Sequence, residues 1–127
     1  MPHYFTLEEA NRALEAIRPM MEEIQSIRKT ILAKQPEAWP AIQQAAGNGG
    51  GHAASLLALG IARLDDLMHA IQGTGALIKD INTGLLDFPA LRAGHEVYLC
   101  WRVGEPHIDY WHEIEAGFAG RQPIDQF

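Results

Sequence analysis

Gly84–Pro123, GLLDFPALRAGHEVYLCWRVGEPHIDYWHEIEAGFAGRQP, holds two of the three tryptophans, two of the three tyrosines and the single cysteine of the chain. Inside it, Glu96–Val103 alternates strictly, with Val97, Leu99 and Trp101 on one side of an extended backbone and Tyr98, Cys100 and Arg102 on the other. A period of two is the pattern of a strand with one face on a core. Arg92-Ala93-Gly94 before it and Gly104-Glu105-Pro106 after it are turn signals, so the strand has neighbours on both sides. Working backwards, Leu85–Phe88 is the preceding strand, ended by Pro89. Asn82-Thr83-Gly84 is the turn that joins it to a strand over Ala76–Ile81. Working forwards, Ile108, Tyr110 and His112 alternate with Asp109, Trp111 and Glu113 as a fourth strand would, although a helical turn over Ile108–Ile114 fits the same residues. The tail from Ala116 carries Gly117, Gly120 and Pro123 and reads as irregular.

Upstream of Gly75 the period is helical. Thr6 and Glu9 form a capping-box pattern that starts a helix at Leu7. Leu7, Ala10, Leu14, Ile17, Met21, Ile24 and Ile31 follow at alternating steps of three and four, interrupted only by Arg28. Pro19 lies inside this helix and should kink it, and Pro36 should stop it near Lys34. A short helix can begin at Pro40, and the glycine-rich run at residues 47–51 reads as a linker. A further helix from about Ala53 places Leu57, Ile61, Leu64, Met68 and Ile71 on one seam, with Gly73 or Gly75 as its C-terminal cap. The expected fold is α+β in a single domain over residues 1–127. A long antiparallel helical hairpin in residues 1–75 precedes a small antiparallel sheet of three or four strands in residues 76–127. Both helical seams are narrow, which suggests a homo-oligomer, a dimer through the helices, to cover what the sheet does not.

Composition narrows the function classes. A hydrophobic content of 47% suffices for an ordinary core. A formal charge of -6, from 16 acidic and 10 basic residues, argues against nucleic acid as a partner. The N-terminus is acidic and lacks a long apolar stretch, so neither a signal peptide nor a membrane span is expected, and a lone cysteine within an apolar run suits a cytoplasmic, reducing setting.

The motifs YFTLEEANRAL (residues 4–14), KDINTGLLDFPAL (79–91), LCWR (99–102), Gly104-Glu105, YWHE (110–113) and GFAGRQP (117–123) together resemble a bacterial family catalogued as domain of unknown function 2203. The resemblance covers nearly the whole chain apart from residues 35–55. It implies a small intracellular bacterial protein and brings no assigned activity.

Three groups of side chains could carry chemistry. His107, Asp109 and His112 are candidate ligands for a divalent metal. On a strand His107 and Asp109 share a face opposite to His112, whereas on a helix Asp109 and His112 stand three apart on one face. Further ligands would have to come from Asp80 and Asp87 or from another chain, and no recognised zinc signature is present. The competing reading, which has the greater weight, is that His112 donates to a carboxylate or a backbone carbonyl as part of the scaffold. Arg102 and Arg121, with Glu105 and Glu113, could clamp a carboxylate or phosphate; the competing reading is an internal Arg–Asp pair, for example with Asp80 or Asp87, that ties the tail to the sheet. Tyr98, Trp101, Tyr110 and Trp111 could line a pocket, and at strand spacing they more often pack across strands. Nucleophilic catalysis has little to work with, because Ser26 and Ser55 lack a glycine elbow and Cys100 should be buried. Two functions follow: a non-enzymatic interaction or structural module, and, as the alternative, a small metal-dependent enzyme or ligand-binding protein. The site in the second case would be built from Asp80, Asp87, Arg102, Glu105, His112, Glu113 and Arg121.

Overall fold

A computed structural model describes residues 3–34, 36–45, 56–125 and 127. Helix α1 spans Leu7–Lys34, a 3-10 turn spans Pro36–Ala38, α2 spans Trp39–Ala45 and α3 spans Leu56–Gly73. Five strands follow: β1 Leu77–Asp80, β2 Leu85–Arg92, β3 His95–Arg102, β4 Tyr110–Glu113 and β5 Gln122–Pro123. They form one sheet in the order β1-β2-β3-β4-β5, each strand antiparallel to the next. The α+β class and the order of helices before sheet are as expected, and the strand count exceeds the expected three or four. The linker assigned to residues 47–51 lies outside the described residues.

The capping box closes as the sequence suggests. The Glu9 amide donates to the Thr6 hydroxyl at 3.0 Å, and the Thr6 amide donates to the Glu9 carboxylate at 2.8 Å. The α1 seam is buried at Ala10, Leu14, Ile17, Met21, Ile24 and Ile31, and the helix runs unbroken through Pro19. Arg28, the one interruption of the seam, sends its Nε to Asn82 Oδ1 at 3.0 Å, and Trp39 Nε1 donates to the same oxygen at 2.8 Å. One turn residue therefore fixes α1 and α2 against the β1–β2 connection. Helix α3 buries Leu64, Leu67 and Ile71, with Ile61 and Met68 half-buried and the side chain of Leu57 outside the described residues. It ends through Gly75, whose amide donates to the Gln72 carbonyl and whose φ is 100°. Gly60 faces Ile27, and Arg63 pairs with Glu23 at 2.6 Å, so α1 and α3 advance in opposite senses where they touch.

The register of the sheet sorts its two faces. Leu86 opposite Trp101, Phe88 opposite Leu99, Ala90 opposite Val97, and Leu99 opposite Trp111 share the face that joins the helices in one core. The buried residues of the helical seams belong to that same core. Asp87, Cys100 and Tyr110, with Tyr98 and His112, lie on the opposite face.

The strands depart from expectation at three places. Pro89 does not end β2. It pairs with Tyr98 within an unbroken ladder, and β1 reaches only as far as Asp87, so at Pro89 the strand has an open side that needs no amide. The Phe5 amide donates to the Pro89 carbonyl there at 2.7 Å. The tail is not irregular either: after a 3-10 turn at Phe118–Gly120, Gln122 and Pro123 pair with Trp111 and Tyr110 as β5. Residues 110–113 are strand rather than helix, which closes the alternative left open by the sequence, and the strand begins at Tyr110 rather than Ile108.

Candidate functional site

The outer face of the sheet carries a buried polar group. The two-residue turn Ala93-Gly94 sets Asp87 opposite Cys100, and the next pairing sets His112 opposite Tyr98, one residue pair along. Asp87 and His112 are each 2% exposed and Cys100 is 0% exposed. His112 Nε2 lies 3.0 Å from Asp87 Oδ1, and its Nδ1 lies 2.8 Å from the Glu113 carbonyl. The Tyr98 ring packs edge-on against the imidazole, centroids 5.6 Å apart, with Lys79 Nζ 4.7 Å from the centre of the Tyr98 ring.

Burial dominates the electrostatics here. It pushes the Asp87 carboxyl above the usual carboxylate range, against the opposing pull of His112, of a hydrogen bond from Cys100 and of Lys79. It also pushes the Cys100 thiol up to about 12, with the charge of Asp87 adding to the effect. The thiol is therefore protonated at neutral pH and donates to Asp87, which is the reverse of an activated nucleophile. His112 is not placed to change this, since its Nε2 is engaged by the carboxylate.

A second group fastens the tail. Arg121 Nη2 meets both carboxylate oxygens of Glu105, at 2.7 and 2.9 Å, and its guanidinium lies over Tyr110 at 3.9 Å and Phe118 at 4.7 Å. Glu105 also accepts from the Arg102 amide at 2.7 Å, while its backbone carbonyl accepts from Trp101 Nε1 at 2.9 Å. This is the internal ion pair weighed from the sequence, with Glu105 rather than Asp80 or Asp87 as the partner of the tail arginine. Arg121 Nε is buried without a hydrogen-bond partner.

The other candidates are elsewhere. Asp80 is a turn residue, accepting from the Asn82 amide at 2.9 Å and the Thr83 hydroxyl at 3.0 Å. Glu113 pairs with His95 at 2.9 Å, and His107 with Asp109 at 2.9 Å, both at the surface. The proposed ligand set His107, Asp109 and His112 does not assemble: the first two face solvent before β4 begins, and His112 points into the sheet's outer face toward Asp87. Among the described residues, the donors of Asp87, Cys100 and His112 do gather, all within 4.8 Å of one another. Cys100 was the residue missed. A shallow hollow of about 170 Å³ is lined by Asp80, Thr83, Leu85, Arg102 and Phe118, and an apolar one of about 630 Å³ lies beside Tyr4–Glu8, Leu91 and Phe127 without any of the candidate residues.

A helix-backed antiparallel meander with a buried Asp–Cys–His cluster on its outer face, and a tail held by an Arg–Glu pair, is the class of protein these features define. The chain belongs to the family described as "Uncharacterized conserved protein (DUF2203)", whose model matches residues 3–124. No curated protein and no solved structure matches it. The family has no assigned function. Among the described residues, no helix is long and apolar enough to cross a membrane.

Proposed function

We propose that the chain is a non-catalytic interaction or structural module. The observation that carries this reading is the division of most of its polar candidates into separate, mutually satisfied groups: Asp87 with His112 and Cys100, Glu105 with Arg121, Glu113 with His95, and Asp80 within its own turn, while Arg102 lies over the Phe118 ring beside a hollow of only about 170 Å³. A catalytic site would need several of them to converge on an opening, with one held in a reactive protonation state. The test is native thiol reactivity. Cys100 is expected to resist alkylation at pH 7 in the folded chain and to react at the rate of a free thiol once the chain is unfolded. Alkylation of the folded chain faster than a free thiol would overturn the reading.

A cytoplasmic setting belongs to the same proposal, supported by a buried thiol that is free. So does a second copy of the chain as protein partner, supported by Leu91, Ile114 and Phe118, the large apolar side chains left exposed among the described residues. Sedimentation over a hundredfold range of concentration tests it, and a single monomeric species throughout removes it.

A further inference from the structure

We infer that Asp87, Cys100 and His112 form a three-donor site for a thiophilic divalent metal such as zinc. Three neighbouring strands each contribute one donor to the same face, and every donor atom lies within 4.8 Å of the other two. Tetrahedral zinc ligands at about 2.0–2.3 Å from the ion stand roughly 3.3–3.6 Å apart, so small side-chain adjustments bring this group to coordination distance. His112 Nε2 and Asp87 Oδ1, at 3.0 Å, are already about that far apart.

The surroundings of the histidine are those of a metal ligand. Its Nδ1 is directed at the Glu113 carbonyl at 2.8 Å, which fixes the proton on that nitrogen and leaves the Nε2 lone pair for the ion. The edge-on Tyr98 ring holds the imidazole plane from the side. Charge is balanced as well: a thiolate, a carboxylate and a neutral imidazole carry two negative charges, which one divalent cation cancels among buried side chains. The set mixes one soft sulfur, one nitrogen and one oxygen, which selects zinc or cobalt over magnesium or calcium. Three protein donors leave the fourth tetrahedral position for a solvent molecule or small ligand. A metal here needs no catalytic reading of the chain, because it would tie β2, β3 and β4 together.

The test uses the full chain, purified without an affinity tag, analysed for bound metal, then stripped with chelator and titrated with cobalt(II). One equivalent is expected to bind, with the thiolate-to-cobalt charge-transfer absorption that reports a cysteine ligand. Cys100→Ala should lose that absorption, and Asp87→Asn and His112→Gln should weaken cobalt binding at least about 100-fold. His107→Ala, which removes the exposed pair before β4, should change neither. The inference is overturned by wild-type protein that shows no charge-transfer absorption, or by Cys100→Ala that keeps it. Each variant is checked by circular dichroism without metal. If Cys100→Ala does not fold, Asp87→Asn, which keeps the shape of the side chain, decides the matter, and undiminished cobalt affinity in it refutes the site.

Discussion

His112→Leu, measured in the presence of chelator so that no metal contributes, isolates the energetics of the buried cluster. In the native chain Asp87 is 2% exposed, lies 3.0 Å from His112 Nε2 and accepts from the Cys100 thiol. Leucine fills the space of the imidazole but leaves the carboxylate buried with only the weak thiol donor. Removing one partner of a buried pair costs about 3–5 kcal/mol, because the remaining group keeps its desolvation penalty without compensation. Against a total stability of about 5–15 kcal/mol, that is a large fraction. The paired change Asp87→Leu with His112→Leu removes both polar groups, so it should be close to neutral, within about 1–2 kcal/mol of wild type, since well-packed apolar replacements of buried pairs usually are. Urea unfolding followed by tryptophan fluorescence reads all three proteins and the Asp87→Leu single variant. The double-mutant cycle should then show strong coupling between the two positions. A single variant destabilised by less than about 1 kcal/mol, or a double variant whose loss equals the sum of the singles, would refute the reasoning.

Three further outcomes follow from particular backbone and side-chain positions. Gly84→Ala places a Cβ 2.3 Å from Val103 Cγ2 at a residue whose φ is 72°, so it should cost more than about 2 kcal/mol in urea unfolding, with part of the loss recovered by adding Val103→Ala. Ala93, at φ 52° in the two-residue β2–β3 turn beside Gly94 at 82°, is the one non-glycine residue with positive φ among those described, and Ala93→Asn should raise stability by about 0.5–1 kcal/mol. The Glu9 carboxyl is held below its ordinary value of 4.5, chiefly by the Thr6 amide, so its contribution is full above that value and lost as pH falls through the lowered one. Unfolding curves of wild type and Glu9→Ala should therefore differ at pH 7 and draw together in acid, and a gap that stays constant with pH would contradict the assignment.

Much of the fold could be read from periodicity because the elements that set it bury one face each. Thr6 with Glu9 marked the start of α1, and the α1 seam, except for half-buried Leu7 at its start, proved to be the buried set. Val97, Leu99 and Trp101 marked the core face of β3. What could not be read lay where tertiary position overrules local signals. Pro89 reads as a terminator only if both sides of β2 are paired, and β5 is two residues long, too short for any alternation to show. The candidate cluster was half legible. Asp87 and His112 were both singled out, and the expectation that His112 donates to a carboxylate or a carbonyl matches its Asp87 and Glu113 partners. Cys100, within an apolar run, reads locally as a buried hydrophobe. The signal for it was present in the turn: counting outward from Ala93-Gly94 pairs Asp87 directly with Cys100. The partnership of Arg121 with Glu105 had no such signal, because a tail that returns beside β4 as a two-residue strand leaves no periodic trace.

Both borders of the sheet end in ways that discourage growth. On one side β1 is four residues long, is broken by a register shift between Ile78 and Asp80, and presents exposed Lys79, while beyond it Phe5 already occupies the Pro89 carbonyl. On the other, β5 consists of Gln122 and a proline that has no amide to offer. Among the described residues neither border is a long, regular strand edge, which disfavours edge-to-edge stacking. Recognition through side chains is thereby favoured over recognition that extends the ladder.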